Sequence, residues 1–278
     1  MKKVFIFLIS AFLILPVFAN QDRMSEDYLK NNLHFSVMNP FAEYIAQKAI
    51  IKTIKKEVPG RYKVQFNGYT LSSIKKGIFK DLKIIGKNVT VEGIEIPYIK
   101  MQTETDYNWI DYTRDPVVFL SDIVFNYEME MSDDTINQAL ETEEYKKTLR
   151  KVNKRAYPLF TLENVRVKIR NNKIHIIMEY NFPIMPAKKN KTFMVSSSVD
   201  VVNHKVKLTK IGFDNAYGNL PIEKVVNLVN LIDPLSFTMK LMNNEKCNGE
   251  INKIVINDNL LKINGKIMIN KSANGGNQ

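Results

Sequence analysis

The sequence predicts an α+β fold of long, curved antiparallel sheets wrapped against amphipathic helices, and three observations carry that prediction. In residues 42–58, AEYIAQKAIIKTIKKEV, the apolar Ala42, Ile45, Ala46, Ala49, Ile50 and Ile54 recur at three- and four-residue spacing, which sets them on one face of a helix. Most of the chain beyond residue 60 alternates apolar and polar residues and is punctuated by Asn, Gly and Pro, the pattern of hairpin-linked strands. The blocks run helix, strands, helix, strands, helix, strands, and consecutive hairpins favour an antiparallel sheet over a parallel one.

The first helix carries Glu43, Gln47, Lys48, Lys52, Lys55 and Lys56 on its polar side, and Pro59-Gly60 stops it. Pro40 disfavours helix at Asn39. From Arg61 to about Tyr112 the chain reads as successive strands. Asn67-Gly68 is a turn signal, Gly86 ends a strand that starts at Phe79, and Gly93 and Pro97 break the next strands. A second helix spans about 133–153. Ser132 or Asp133 caps its first amides, acids lie early, and Lys146, Lys147, Arg150 and Lys151 lie late, which complements the helix dipole.

A second strand block comes next. Leu162, Val165, Val167 and Ile169 lead to a turn at Asn171-Asn172. Ile174, Ile176, Met178 and Tyr180 then alternate with His175, Ile177 and Glu179, and Asn203-His204 is a further turn. Asn219 and Pro221 open a third, nearly all-apolar helix over 221–232, which Asp233-Pro234 ends. A final hairpin turns at Asn257-Asp258-Asn259, and 272–278 is a disordered tail.

The start of the chain is organised for export. Lys2 and Lys3 precede an apolar run over 4–15, and Val17 and Ala19 suit signal-peptidase cleavage after Ala19. The run is short for a span of ~20 residues, so the expectation is a cleaved signal over 1–19 and a periplasmic or secreted protein, membrane-anchored if the signal is retained. A polar segment over 20–41 then leads into a single domain over 42–271. Cys247 is the one cysteine, so the core holds the fold with no internal disulfide.

Loss of Lys2 and Lys3 leaves 38 of the 40 basic residues against 29 acidic ones, a net charge of +9. That excess suits an anionic membrane surface or phospholipid headgroups; a Lys- and Asn-rich composition also produces it with no partner. Scattered lysines, one Trp and export disfavour nucleic acid.

Chemistry-bearing patterns are sparse. His34, His175 and His204 fall in separate segments without carboxylate or Cys at ligand spacing, so no metal or cofactor is expected. Ser196-Ser197-Ser198 lacks a nucleophile elbow, and helix capping accounts for Asp133-Asp134. The expectation is a non-catalytic protein. The apolar stripes at 42–54 and 222–232 have two readings: they close an ordinary core, or they line a groove that buries acyl methylenes at ~0.8 kcal/mol each.

From Ala42 to about Lys271 the chain resembles the LmeA-like phospholipid-binding proteins, an exported or membrane-anchored bacterial family. The resemblance rests on the helix after the signal, on LSSIKKGIFKDLKI over 71–84, and on Val89-Thr90-Val91-Glu92-Gly93. It continues through MSDDTINQAL over 131–140, the strand pair around 165–178, and Asn219-Leu220-Pro221 before the last helix and hairpin. Lys and Asn replace the family's small-residue loops here. The resemblance implies a tubular-lipid-binding-like half-barrel without catalytic residues that binds phospholipid for envelope maintenance or lipid transfer. The groove is then expected between the sheet and the helices, lined by Ile45, Ala49, Ile50, Ile54, Ile222, Val225, Val226 and Val229. A rim of Lys52, Lys55, Lys56, Lys75 and Lys76 meets headgroups or an anionic membrane surface. The competing expectation is a structural or interaction protein of the envelope with a filled core and a protein partner.

Overall fold

Two-residue turns with both residues in the left-handed region set the strand registers. Asn171 and Asn172 have φ of 51° and 57°, and Asn203 and His204 have 51° and 59°. Glu92 and Gly93, at 52° and 85°, make a third such turn. Backbone twist in this conformation matches that of antiparallel strands, and Asn and Gly tolerate it best. In a computed structural model, which describes residues 38–111, 118–156, 161–181, 191–213, 222–242, 248–257 and 259–271, the result is an α+β protein of antiparallel sheets.

Helix α1 (Met38–Glu57) is followed by β1 (Arg61–Asn67), the short α2 (Leu71–Lys75), β2 (Ile78–Phe79), β3 (Asp81–Val91), β4 (Ile94–Thr103), β5 (Asn108–Asp111), β6 (Val118–Phe119) and β7 (Ile123–Met131). Helices α3 (Asp133–Leu140) and α4 (Glu143–Ala156) precede β8 (Thr161–Arg170), β9 (Lys173–Asn181), β10 (Lys191–Val202) and β11 (Lys205–Phe213). Helices α5 (Ile222–Ile232) and α6 (Pro234–Met242) lead to β12 (Asn248–Asn257) and β13 (Leu260–Ile269). The large sheet has the order β1-β3-β4-β7-β13-β12, the second β11-β10-β9-β8, and a small one β2-β5-β6. All pair antiparallel, and none closes into a barrel.

One face of each large sheet is apolar and buried. In β8 and β9 the buried rows are Leu162, Val165, Val167, Ile169 and Ile174, Ile176, Met178, Tyr180, the residues that alternate in the sequence. They join a single core with Ile50 and Ile54 of α1, Val64 and Phe66 of β1, and Leu261 and Ile263 of β13. The opposite face of the large sheet carries charge pairs between neighbouring strands: Lys262 to Glu130 at 2.9 Å and Lys100 to Glu128 at 3.9 Å. At such exposure each contributes little to stability; they mark the solvent side.

Several boundaries differ from the sequence reading, for local reasons. Helix α1 begins at Met38, because Pro40 sits in its first turn, where a missing N–H costs nothing. The helix expected over 133–153 is two: Thr142 donates its hydroxyl to the Ala139 carbonyl at 2.7 Å, and its own carbonyl starts α4 by accepting from Lys146. Ser132, not Asp133, caps α3 through a reciprocal pair with Thr135. Thr70 and Ser73 form the same device around α2, a helix where the sequence pattern suggests extended chain. Asp233-Pro234 ends α5 at Ile232 as expected, but a further helix follows at once: Pro234 starts α6, since Asp233 caps it and proline suits a first helical position.

Gly86 does not end β3. It lies mid-strand opposite Tyr62, as Gly265 lies opposite Tyr127. In each case the missing side chain leaves room for a tyrosine ring from the neighbouring strand, and both rings are buried enough to push their phenol pKa upward, to about 12 for Tyr127. A Cβ at Gly86 would meet the Tyr62 ring at 3.0 Å and Val89 Cγ2 at 2.6 Å, whereas one at Gly265 would lie 2.0 Å from the Glu250 carbonyl oxygen. Side-chain ends yield more readily than backbone. Gly86→Ala is therefore expected to cost about 1–3 kcal/mol and Gly265→Ala distinctly more, as urea-denaturation midpoints of the two variants will show.

Candidate functional site

The expected groove begins under α1, and side chains occupy that space. Ile54 is fully buried, and Ile50 and Ala49 nearly so, against β1, while Ile45 packs on the margin of the core. The helix lies antiparallel to β1: Gln47 donates to the Phe66 carbonyl at 3.4 Å, and the Gly68 N–H donates to Glu43 Oε1 at 2.9 Å. Its buried row therefore follows the length of the strand. On α5, Val229 is fully buried and belongs to the same core, and Val226 is half-buried. Ile222 and Val225 fall within α5, in the turns where only the backbone is described.

The lysine rim divides. Lys52, Lys55 and Lys56 are exposed near the C-terminal end of α1. Lys75 and Lys76 are exposed at α2, beside the other end, where Gly68 meets Glu43. From Glu43 to Lys55 the helix rises about 18 Å at 1.5 Å per residue. That exceeds a screening length of ~10 Å at 0.1 M salt, so the two groups of lysines act on separate surfaces.

A feature the sequence reading did not anticipate lies at the Lys52 end of the sheet. A polar cleft of about 490 Å³ is lined by residues of β4, α3 and the β3–β4 hairpin, including Asn88, Glu95, Pro97, Ser132, Asp134 and Asn137. Most of its polar groups are committed to holding α3 in place. Gln138 Oε1 accepts from the Glu95 N–H at 2.6 Å, and Thr135 donates to the Glu95 carbonyl at 2.7 Å. The Asn137 amide bridges both backbone groups of Val167, at 3.0 and 2.8 Å. The acids Glu95 and Asp134 give the cleft the wrong sign for a phosphate headgroup. The sequence signal for it was the run Thr135-x-Asn137-Gln138, which capping alone does not need.

The helical elbow between α5 and α6 is fixed by polar contacts under an apolar cover. Tyr145 of α4 donates its hydroxyl to the Ile232 carbonyl at 3.0 Å and packs edge-on against Phe237 at 4.9 Å. Burial, and secondarily Asp233, pushes the Tyr145 phenol pKa upward. Asp233 accepts from the N–H groups of Leu235 and Ser236 at 3.1 and 3.2 Å and from the Ser236 hydroxyl at 2.6 Å.

Of the remaining candidates, His175 occupies the half-buried row of β9. Ser196 and Ser197 are buried at a bulge opposite β11, where Ser197 Oγ lies 2.8 Å from the Thr209 carbonyl. His34 and Cys247 lie outside the described residues. Among the described residues no group of three or more His, Cys, Asp or Glu is placed to hold a metal, and no helix is long and apolar enough to cross a membrane.

Burial raises the Asp233 carboxyl pKa despite the three hydrogen bonds that oppose the shift. Its stabilising contribution is thus complete below the ordinary aspartate pKa and is lost as pH rises through the raised folded-state value. Asp233→Asn keeps acceptors for the capped amides and removes that loss. It is expected to match or exceed the parent's stability at pH 7 and to flatten the acid-range dependence, while Asp233→Ala loses about 1 kcal/mol of capping. Melting temperatures across pH 3–7 check both. No family model, curated protein or solved structure matches the chain.

Proposed function

We propose that this is an exported, non-catalytic protein of the cell envelope that binds phospholipid acyl chains for envelope maintenance or lipid transfer. The observation that carries the reading is the apolar row of α1 laid lengthwise along β1, an edge strand of the six-stranded sheet. At the margin of that row Ile45 and Ile51 are only partly buried beside the sealed Ile50 and Ile54. A chain of methylenes entering there follows an apolar seam at ~0.8 kcal/mol each. The export-type start of the sequence, its basic excess and the resemblance to LmeA-like phospholipid-binding proteins support the same reading.

The filled interior favours a second reading, an envelope interaction protein whose apolar rows are ordinary core and whose partner is a protein. Ile54 at 0% exposure and Ile50 at 3% leave a lipid no room directly under the helix without its displacement. The two readings separate by native mass spectrometry of protein isolated gently from envelopes. A bound phospholipid mass, and uptake of labelled phospholipid from liposomes, are expected. A lipid-free protein that takes up none, with one stoichiometric partner after mild crosslinking, decides for the interaction protein.

A further inference from the structure

The ends of the large sheet differ in what they expose. The registers place Asn67, Asp81, Thr103, Ile123 and Ile269 at one end, beside the small β2-β5-β6 sheet and α2. Exposed aromatic side chains gather there: Phe41 at 62%, Tyr44 at 54%, Tyr107 at 48% and Tyr69 at 42%. Contacts bring them together. The Gly68 N–H meets Glu43, between Phe41 and Tyr44 in the chain, and the Tyr69 hydroxyl donates to the Asp106 carbonyl next to Tyr107. Among the described residues the other exposed large apolar side chains, Val202, Leu231, Val255 and Met268, are non-aromatic.

The composition of this end is that of a water–lipid boundary. Tyrosines set an apolar ring beside a hydroxyl and are enriched at headgroup depth, with lysines flanking them. Lys48 lies 5.2 Å over the Tyr44 ring, and Lys75 and Lys76 are exposed nearby. The chain also enters the described structure at Met38, at this same end. Glu43 and Asp106 offset the lysines. Attraction at this end is therefore carried by aromatic surface more than by charge.

We propose that the end of the molecule bearing Phe41, Tyr44, Tyr69 and Tyr107 seats on a phospholipid bilayer at headgroup depth, with Lys52, Lys55 and Lys56 facing away. The inference rests on the reading of the protein as one that meets phospholipid, and it does not require an internal acyl site. It differs from docking through the lysine rim in sign and place: binding persists at high salt, and the far lysines are spectators.

The single Trp lies behind this surface, with Trp109 Nε1 donating to the Lys76 carbonyl at 3.2 Å, and supplies the readout. The experiment is cosedimentation of the full chain with phosphatidylcholine vesicles, with and without phosphatidylglycerol, plus quenching of Trp109 emission by brominated phospholipid. Binding with quenching is expected, retained at about 1 M salt, where screening reaches ~3 Å. The pairs Phe41→Ser/Tyr44→Ser and Tyr69→Ser/Tyr107→Ser are each expected to weaken binding by about tenfold or more, with circular dichroism unchanged. Lys52→Gln/Lys55→Gln/Lys56→Gln is expected to leave it unchanged.

Absence of binding by the parent overturns the proposal, as does binding without quenching, or parent-like binding by both aromatic pairs. If those pairs instead change the association state of lipid-free protein, or the trimming of residues 20–37, while vesicle binding is unaltered, the surface belongs to a second copy or to the chain's own N-terminal segment, and the proposal fails. Vesicle binding with no lipid retained in native mass spectra sinks the acyl-chain reading and leaves this one standing.

Discussion

The ladder between β7 and β13 is the constraint on which the architecture depends. Nine consecutive pairs, from Leu261 with Met131 to Ile269 with Ile123, join the last hairpin to a strand more than a hundred residues earlier in the chain. Without them the large sheet would stop at β7 and leave a long row of unpaired amides and carbonyls. With them β12 is carried alongside β10 and β11, so the second sheet meets the first across a shared core. Closing so long a loop is entropically costly, and it is offset by burial of Phe125, Met129, Leu261 and Ile263 together with the ladder itself.

That closure explains why the helices end up where they do. Helix α1 covers β1 at one edge of the large sheet, while α3 sits at the opposite end of the strands, clamped by Asn137 to β8 and by Thr135 and Gln138 to β4. Helix α3 thereby ties the two sheets to each other through side-chain amides whose loss would leave the Val167 N–H and carbonyl short of partners. The polar cleft is a by-product of that clamp. Its acids and its committed amides set it apart from the apolar row of α1 and from the aromatic end.

The lysines illustrate how position along a helix outweighs type. Lys52, Lys55, Lys56, Lys75 and Lys76 look like one basic rim in the sequence because they flank a single α–β unit. Once α1 folds back on β1, the loop carrying Lys75 returns to the helix start, and the first three lysines are left a helix length away. The aromatics behave oppositely. Phe41, Tyr44, Tyr69 and Tyr107 are scattered over more than sixty positions and converge on one end only because α1, the β1–α2 link and the β4–β5 link all terminate there.

Local chemistry in the chain was enough to read the α+β class, the α1 stripe, the alternation of β8 and β9 and the Asn-Asn and Asn-His turns, because each depends on side-chain period or on φ preferences within a few residues. The same local signals misplaced Gly86 and Pro40, and missed that a further helix starts at Pro234. A glycine beneath a tyrosine ring and a proline in a first helical turn differ from true breakers only by what lies opposite them. Whether the apolar rows of α1 and α5 enclose space or fill it was beyond sequence, since core and groove demand the same residues. For α1 the fold adds that Ile50 and Ile54 are buried in one core with Val64 and Phe66 of the neighbouring β1 and with Leu261 and Ile263 of the distant β13. The outer aromatic end emerged at that same level, because only the β1–β3–β4 pairing and the returning loops bring its four rings together.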